Sequence, residues 1–112
     1  MATLLFSRSA KADLLSIGAY TLQTWGTAQA EHYIDGLERC ARLLAGNPLL
    51  GRSCEWIRPG LYRFEKGRHV LFYRRQEDGI LVSRILHQSM LPDQQYFEDA
   101  DPDVEWPRPA GN

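Results

Sequence analysis

The side chains best suited to chemistry lie in the second half of the chain. His69 and His87 occur there together with Tyr62, Tyr73 and several arginines. Cleavage of RNA through its 2′-hydroxyl needs a base, an acid and cations that hold the phosphate, and these residue types can supply all three. A ribonuclease is therefore one class of function that the sequence must be tested against.

Other catalytic classes find less support. Ser83 and Ser89 lie close to His87 along the chain, but the sequence has no Gly-x-Ser-x-Gly elbow, no His-Glu-x-x-His motif and no phosphate-binding glycine loop. Cys40 and Cys54 have a spacing that matches no zinc or redox motif, and Cys40 is expected to be buried as a free thiol. We therefore predict no hydrolase triad, no metal and no cofactor.

Length and composition are typical of one globular domain. The chain has 112 residues, of which 44% are hydrophobic and 11% aromatic. No apolar run approaches the ~18 residues of a membrane span, and the N-terminus lacks the order of a secretory signal. We expect a cytoplasmic protein with no membrane association. Residues 1–98 are predicted to form the domain and residues 99–112 an acidic, largely disordered tail.

Charge is distributed unevenly along a chain whose formal net charge is -1. Between residues 52 and 87 there are eight lysines and arginines against four acids, and residues 93–105 contain six acids and no base. A basic surface is therefore expected on the second half of the domain. It could face nucleic acid, an acidic protein or the chain's own tail.

Two helices are predicted in the first half. The apolar run Thr3 to Ser7 suits a strand, and Ser9 is predicted as the N-cap of the helix that follows. Apolar residues then recur at helical spacing up to Gly26 and again up to Gly46, so two antiparallel helices should form a hairpin. The first stripe is Ala10, Leu14, Ile17, Thr21 and Trp25, widened by Leu15, Gly18 and Leu22, and the second is Ala30, Tyr33, Ile34, Leu37, Cys40, Ala41 and Leu44.

A run of strands is predicted after the helices. Glu55 to Arg58 should begin the sheet, followed by strands at Leu61 to Lys66, His69 to Arg75 and Ile80 to His87. Lys66-Gly67 and Asp78-Gly79 separate the last three as short hairpin connections. The predicted fold class is α+β, with an N-terminal strand, an antiparallel helical hairpin and a twisted antiparallel β-meander. A short helix is also expected at residues 94–97.

Several segments carry a family resemblance when they are taken in order. They are "ADLLSIGAYTLQTWG", "NPLLGR" leading to "RPGLYRF", and "GRHVLFYRR" followed by "RILHQSM". With this order and spacing, residues 4 to 92 resemble the ParE branch of the ParE/RelE superfamily, small toxins of bacterial type II toxin–antitoxin systems. The resemblance implies the same fold class that the periodicity predicts.

The resemblance also bears on the ribonuclease alternative. RelE-like relatives that cleave messenger RNA on the ribosome carry an arginine at the position matched here by Val70, and a basic cluster with a tyrosine beyond the last strand. Here the segment after the strand is His-Gln-Ser-Met-Leu, and Tyr96 is the one residue that could replace the tyrosine. The resemblance therefore implies a toxin that binds its target and is not an enzyme, with a ribosome-dependent mRNA interferase as the alternative.

Partners follow from the resemblance as well. ParE toxins stall DNA gyrase with cut DNA attached, and they are neutralised by a ParD-type antitoxin, a dimer whose disordered C-terminal arm folds onto the toxin. The implied partners are DNA gyrase and a ParD-like antitoxin, without sequence-specific nucleic-acid binding. A third reading is an inactive module that only binds its antitoxin.

Candidate site residues combine this implication with residue type. Aromatic and arginine side chains dominate interface hot spots, and a disordered arm must bury apolar surface to fold. Arg84, His87 and Met90 end the sheet together, and alanine at Arg84 or His87 is expected to abolish toxicity while leaving the fold and antitoxin binding largely intact. Trp25 is expected to cap the core. The target-binding set is Arg63, Arg68, Arg84, His87 and Met90, and the antitoxin-binding set is Leu14, Ile17, Tyr33, Leu49, Arg52, Trp56 and Arg58.

Overall fold

The protein is described by a computed structural model that covers residues 2–90, 92–97 and 105–106. Strand β1 (Thr3–Ser7) is followed by helices α1 (Arg8–Trp25) and α2 (Thr27–Gly46) and by a 3₁₀ turn at Pro48–Leu50. Strands β2 (Arg52–Ser53), β3 (Leu61–Lys66), β4 (His69–Gln76) and β5 (Gly79–His87) come next. A second 3₁₀ turn, Gln94–Phe97, precedes the two-residue strand β6 (Glu105–Trp106).

The strands form one mixed sheet in the order β2-β3-β4-β5-β1-β6. Strands β2 to β5 are an antiparallel meander, and β1 lies parallel to the first half of β5, where Thr3 faces Gly79 and Phe6 faces Val82. A parallel neighbour for β5 requires a crossover, and the helical hairpin supplies it. The predicted α+β class, helix pair and meander are confirmed.

The helices cover one face of this sheet. Ser7 caps α1 by accepting a hydrogen bond from the Ala10 N–H, so the helix begins directly after β1 and without the predicted cap at Ser9. Alternation along β4 sends Leu71 and Tyr73 towards the helices, where they join the main core. The helical members of this core include Leu14, Ile17, Leu37, Cys40, Ala41 and Leu44.

A smaller core lies on the opposite face. Val70 and Phe72 of β4 point to this side and pack with Cys54, Ile57, Leu61, Leu86 and Phe97. The ring of Phe97 meets the ring of Phe72 edge-on with 5.1 Å between centroids. The segment at residues 94–97 is therefore part of the folded domain, where it covers apolar surface that the helices do not reach.

Three local predictions were wrong. Glu55 to Arg58 forms a turn and not a strand, so Trp56 is not in the sheet, and the first meander strand is Arg52–Ser53. Leu15 and Leu22 are exposed, because the buried side of α1 is the narrow stripe Ala10, Leu14, Ile17 and Thr21. Trp25 is 68% exposed and does not cap the core.

The C-terminal tail was predicted to be disordered from residue 99. Most of it lies outside the described residues. The described pair Glu105–Trp106 runs antiparallel to β1, with Trp106 facing Phe6 and Glu105 facing Ser7.

Candidate functional site

A groove runs along the second half of β5, between α1 and the start of α2. Its volume is about 750 Å³. The residues that line it come from three regions that are far apart in sequence, 13–33, 67–69 and 84–90, and only tertiary packing brings them together. They are Asp13, Ser16, Ile17, Tyr20, Thr21, Trp25, Gln29, Tyr33, Gly67, Arg68, His69, Arg84, Ile85, Leu86, His87 and Met90.

The groove exists because β1 is shorter than β5. The parallel pairing stops at Val82, since the chain leaves β1 at Ser7 and enters α1. Two side chains then replace the missing strand: the Ser7 hydroxyl donates to the carbonyl of Ser83 at 2.7 Å, and the Ile85 N–H donates to the Asp13 carboxylate at 2.8 Å. Where β1 has ended, side chains therefore satisfy backbone groups of β5 at Ser83 and Ile85.

Asp13 also forms a two-point ion pair with Arg84 beside the groove. The Arg84 guanidinium donates from Nε and Nη2 to the two Asp13 oxygens, both at 2.8 Å, with side chains only 20% and 13% exposed. Nη1 of Arg84 donates to the carbonyl of Tyr96 at 2.9 Å, and the guanidinium lies 5.7 Å from the Tyr96 ring centroid. The hydrogen bonds that Arg84 donates to Asp13 raise the pKa of Arg84 above its ordinary value. Arg84 thus joins α1, β5 and the residue 94–97 segment.

Large apolar side chains are exposed around the groove. Tyr20 and Trp25 of α1 are 67% and 68% exposed, and Met90, after the end of β5, is 36% exposed. Side chains of this type tend to be buried, and contiguous exposed ones mark interaction sites. These residues are suitable anchors for a macromolecular partner.

Two histidines meet at the base of the groove. The His69 and His87 rings, opposite each other on β4 and β5, are in edge contact with 5.3 Å between centroids. His69 Nδ1 lies 2.6 Å from the Tyr33 hydroxyl, which also accepts the Arg68 N–H at 3.1 Å. Burial lowers the pKa of His69, the neighbouring His87 lowers it further, and Asp13 opposes both. The buried imidazole therefore favours its neutral form.

A tight turn holds His87 from the other side. The Ser89 N–H donates to His87 Nδ1 at 3.1 Å and the Ser89 hydroxyl lies 2.7 Å from the same atom, so Nδ1 is an acceptor and Nε2 carries the proton of the neutral ring. The Met90 N–H donates to the His87 carbonyl at 2.9 Å. The His-Gln-Ser-Met turn thus fixes Met90 at the mouth of the groove.

The predicted target-binding residues divide between two surfaces. Arg84, His87 and Met90, which were grouped at the end of the sheet, line the groove together with Arg68 from the turn between β3 and β4. Arg63 lies on the opposite face of the sheet, where it pairs with Glu65 at 2.9 Å and packs 5.8 Å from the Phe72 ring centroid.

The structural contacts of Arg84 change one expectation. Removing its guanidinium would leave the Asp13 carboxylate buried without its cation, so an intact fold is not expected for the alanine variant. Contact between Arg84 and a target stays a prediction.

The predicted antitoxin-binding residues are also spread over more than one place. Ile17 and Tyr33 line the groove, while Leu14 is buried beneath it. The other four lie in the segment between α2 and β3: Leu49 and Trp56 are largely exposed, Arg52 is exposed and pairs with Glu65, and Arg58 donates to the Phe97 carbonyl.

Sequence reasoning missed Asp13 and Tyr20 of the groove. Trp25 was considered as an interface anchor, but a core cap was preferred for it. The available signal was that Tyr20 falls off the buried stripe of α1 although it is large and aromatic. Asp13 gave no signal, because its partners Arg84 and Ile85 are more than 70 residues away.

Neither cysteine takes part in the site. Cys40 and Cys54 are free thiols that belong to the cores on opposite faces of the sheet. Burial raises the pKa of Cys54 to about 11, so its thiol is protonated at neutral pH. Among residues 2–90, 92–97 and 105–106, no group of three or more potential ligands could hold a metal ion. None of the helices in those ranges is long and apolar enough to cross a membrane.

Comparison with solved structures identifies the fold. A chain of the chromosomal ParDE TA system from P. aeruginosa superposes with a TM-score of 0.66 at 21% identity, covering 78% of this chain and 96% of that one. The strand, helical hairpin and meander are therefore a fold that this protein shares with that chain.

Sequence comparison identifies the family. Residues 4–92 match the family described as ParE toxin of type II toxin-antitoxin system, parDE. Toxin ParE1 of Mycobacterium tuberculosis is 42% identical over 87 residues, which are 77% of this chain and 89% of the relative. Toxin ParE1 of Caulobacter vibrioides is 43% identical over 86 residues (75% and 86%), and Toxin ParE of Escherichia coli is 36% identical over 92 residues (80% and 88%). This chain belongs to the ParE toxin family of type II toxin–antitoxin systems.

Proposed function

We propose that this toxin acts in the cytoplasm by binding DNA gyrase directly, without catalysis of its own, and that a ParD-like antitoxin neutralises it. Family membership supports the toxin class, and the groove supports a binding mechanism. Its exposed Tyr20, Trp25 and Met90 are side chains of the kind that anchor interfaces, and they lie beside the second half of β5.

The observation that carries this proposal is the overlap of two residue sets. Arg68, His87 and Met90 were expected to bind the target, Ile17 and Tyr33 were expected to bind the antitoxin, and all five line one groove. If both partners need this surface, occupation by one excludes the other. Neutralisation then requires no conformational change in the toxin.

Charge favours an acidic partner at this groove. Arg68 is on its wall, whereas the Asp13 carboxylate is already paired with Arg84. A carboxylate on an incoming segment would find an available cation in Arg68.

A second contact region is part of the proposal. Leu49 and Trp56 are exposed and Arg52 is largely in solvent, so residues 49–58 can receive the continuation of a long antitoxin arm. Arg58 is held by the Phe97 carbonyl and would contribute through this fixed position. Arg63, with its side chain over Phe72, is proposed as a target contact on the same side of the sheet as Phe97.

The proposal is tested with purified toxin, gyrase and supercoiled plasmid. We expect the toxin to block supercoiling and to leave cleaved DNA when the reaction is stopped with detergent. Adding the ParD-type protein encoded beside the toxin gene should restore supercoiling. A toxin that leaves gyrase active at micromolar concentration would contradict the gyrase target, and harmless expression in bacteria would support an inactive, antitoxin-binding module.

One observation favours ribonuclease activity as a second candidate. His69, His87, Tyr33 and Arg68 lie together in the groove, and these are types that can act as base, acid and phosphate ligand. However, the two rings touch edge-on, and each Nδ1 is engaged by a hydroxyl group, which leaves no phosphate-sized gap between them. A translation extract with ribosomes separates the candidates: transcript cleavage that His69→Ala abolishes would establish the second one.

A further inference from the structure

Arginine side chains gather on the face of the sheet that the helices do not cover. Arg52 of β2 faces Arg63 of β3 in the strand register, and Arg63 faces Phe72 of β4, which belongs to the smaller core on this side. Arg74 of β4 faces Leu61, another member of the smaller core. Residues that face each other across neighbouring strands point to the same side of a sheet, so these three arginines share one face.

A fourth arginine is held beside the same core. Arg58, from the turn between β2 and β3, donates to the carbonyl of Phe97, whose ring packs edge-on against that of Phe72. The guanidinium of Arg63 lies 5.8 Å from the centroid of the Phe72 ring. Both side chains are therefore positioned by the packing of this aromatic pair. We call Arg52, Arg58, Arg63 and Arg74 the arginine face.

The positive charge of this face is only partly balanced. One carboxylate oxygen of Glu65 accepts from Arg52 at 3.0 Å and from Arg63 at 2.9 Å, so a single negative charge is shared by two cations. Arg58 bonds to an uncharged carbonyl, and Arg74 forms no ion pair with any described residue. Even with Glu55 of the adjacent turn counted, four arginines minus two glutamates leave an excess of two positive charges.

The chemistry of this face suits a polymer of phosphates. A guanidinium donates N–H groups and accepts nothing, and the Glu65 carboxylate is already engaged by two arginines. The amide N–H groups of a peptide would therefore find no free side-chain acceptor here. Phosphate oxygens only accept, and the planar guanidinium is the side chain that matches them best.

The chain's own acidic tail is placed elsewhere in its described part. Glu105–Trp106 pairs with β1, and the strand order β2-β3-β4-β5-β1-β6 puts it at the opposite edge of the sheet from β2. The described part of the tail therefore leaves the arginine face to an external ligand.

We propose that the arginine face binds the phosphate backbone of duplex DNA without reading its sequence. The choice of DNA among phosphate polymers rests on the proposed gyrase target, an enzyme that acts on duplex DNA. The groove lies on the helix side of the sheet, so a toxin bound to gyrase through the groove would have a second surface for the DNA on the other side. Arg52 and Arg58 also belong to the proposed antitoxin contact, and DNA and antitoxin would exclude each other there.

Fluorescence anisotropy of the full-length toxin with a labelled duplex of about 20 base pairs tests this contact. We expect a dissociation constant in the micromolar range at about 50 mM KCl. The logarithm of the binding constant should fall against the logarithm of the salt concentration with a slope of about −2 to −3, because roughly two to three phosphates are neutralised. The formal net charge of the chain is -1, so total charge does not supply this attraction. Absence of binding up to about 100 μM toxin would overturn the proposal.

Two neighbouring arginines of β4 provide matched variants. Arg74→Gln removes a charge from the arginine face, whereas Arg75→Gln removes one from the helix side, where Arg75 faces Ile80 of the main core. We expect Arg74→Gln to weaken DNA binding about threefold to tenfold and to make the salt slope shallower by about 1, with little effect of Arg75→Gln. Arg52→Gln, at a side chain that is 71% exposed, should act like Arg74→Gln and does not depend on its folding. Equal effects at positions 74 and 75 would overturn the arginine face.

Competing ligands identify the occupant. Tighter binding of a polyglutamate peptide of about 20 residues, or of an RNA hairpin with as many phosphates as the duplex, would assign the face to another ligand and overturn the DNA contact. The supercoiling assay separates this inference from the function on which it rests. Gyrase inhibition by a toxin that does not bind DNA would overturn the DNA contact alone, whereas DNA binding by a toxin that leaves gyrase active would support the contact and contradict the gyrase target.

Discussion

The two halves of β5 have different neighbours, although they belong to one strand. Residues 79–82 pair with β1 on one side and β4 on the other, and all four are buried. Beyond Val82 the β1 side is occupied by the side chains of Ser7 and Asp13 and then by the groove. The first half is therefore inside a sheet, and the second half is an edge.

This difference separates stability from recognition. A strand neighbour satisfies every backbone group on its side, and the flanking side chains can then pack into a dry core. Side-chain caps satisfy single groups and leave others available to a partner. The two halves of β5 differ in this way because α1 begins directly after β1, at Arg8, and recognition by the second half is part of the proposed function.

Gly79 is the position where a substitution should most destabilise the first half of β5, which pairs with β1. A Cβ at this position would lie 1.9 Å from the Thr3 carbonyl oxygen, so β1 would have to move away. We expect Gly79→Ala to lower the free energy of unfolding by about 3 kcal/mol, measured by urea denaturation. Gly46→Ala is the matched control, since its Cβ would meet nothing within 4 Å, and equal losses in both variants would contradict the close packing of β1 on β5.

The second half of β5, where Asp13 accepts the Ile85 N–H, is tested by a substitution of Asp13. Asp13→Ala leaves the Arg84 guanidinium without its carboxylate and the Ile85 N–H without an acceptor, in a region where both side chains are mostly buried. The expected cost is about 2 kcal/mol, smaller than that at Gly79 because part of the site is reached by water.

Asp35→Ala serves as the control for Asp13, because Asp35 is an exposed aspartate on α2. Its unfolding free energy should change by less than about 0.5 kcal/mol. Asp13→Asn, which keeps an oxygen acceptor but loses the charge, should fall between the two. A stable Asp13→Ala protein would show that the edge does not need its cap.

Recognition should depend on the groove wall far more than stability does. Trp25→Ala removes an exposed indole, so we expect antitoxin binding to weaken about tenfold or more while the unfolding free energy changes by less than about 1 kcal/mol. Calorimetry with the antitoxin and thermal unfolding measure the two effects. Leu15→Ala is the control, because Leu15 is on the same helix and equally exposed but does not line the groove. An equal loss of affinity in that variant would show that the interface is not confined to the groove.

The smallest expected effect concerns pH at the base of the groove. Burial and the neighbouring His87 lower the pKa of His69 below 6.5, so the folded state binds fewer protons than the unfolded chain. The contribution of His69 to the free energy of unfolding is complete above pH 6.5. It is lost as the pH falls through the lowered pKa of His69 in the folded state. Unfolding at a series of pH values should show this loss.

His69→Gln removes the titrating group, and its stability should depend less on pH below 6.5. His32→Gln changes an exposed histidine on α2 and serves as the control. An NMR titration of His69 with a midpoint above 6.5 would show that the sign of this effect is wrong.

Much of the fold could be predicted from local patterns. Helical spacing located α1 and α2, and alternation with Gly67 and Gly79 as turn signals located β3 to β5 within one or two residues. These patterns work because burial of one side is required wherever an element meets the core. Glu55 to Arg58 was assigned wrongly because its apolar residues, Trp56 and Ile57, suit a strand, whereas Ile57 is buried from within a turn.

The site was predictable only in part. Arg84, His87 and Met90 were chosen from the end of the meander, and the structure places them in one groove with Arg68. Trp25 was misjudged because a single-sequence pattern does not show how wide the covered side of a helix is. A sheet of limited width covers the stripe from Ala10 to Thr21 and ends before it reaches Trp25.

The sequence by itself determined the elements, their order and the ParE resemblance, since these depend on residue types at short spacing. Tertiary structure alone decided where β1 stops along β5, and hence which part of β5 lines the groove. It also decided that Asp13 meets Arg84 across 71 positions of sequence. Strand register and the meeting of distant side chains depend on the packing of whole elements, and no local pattern records that packing.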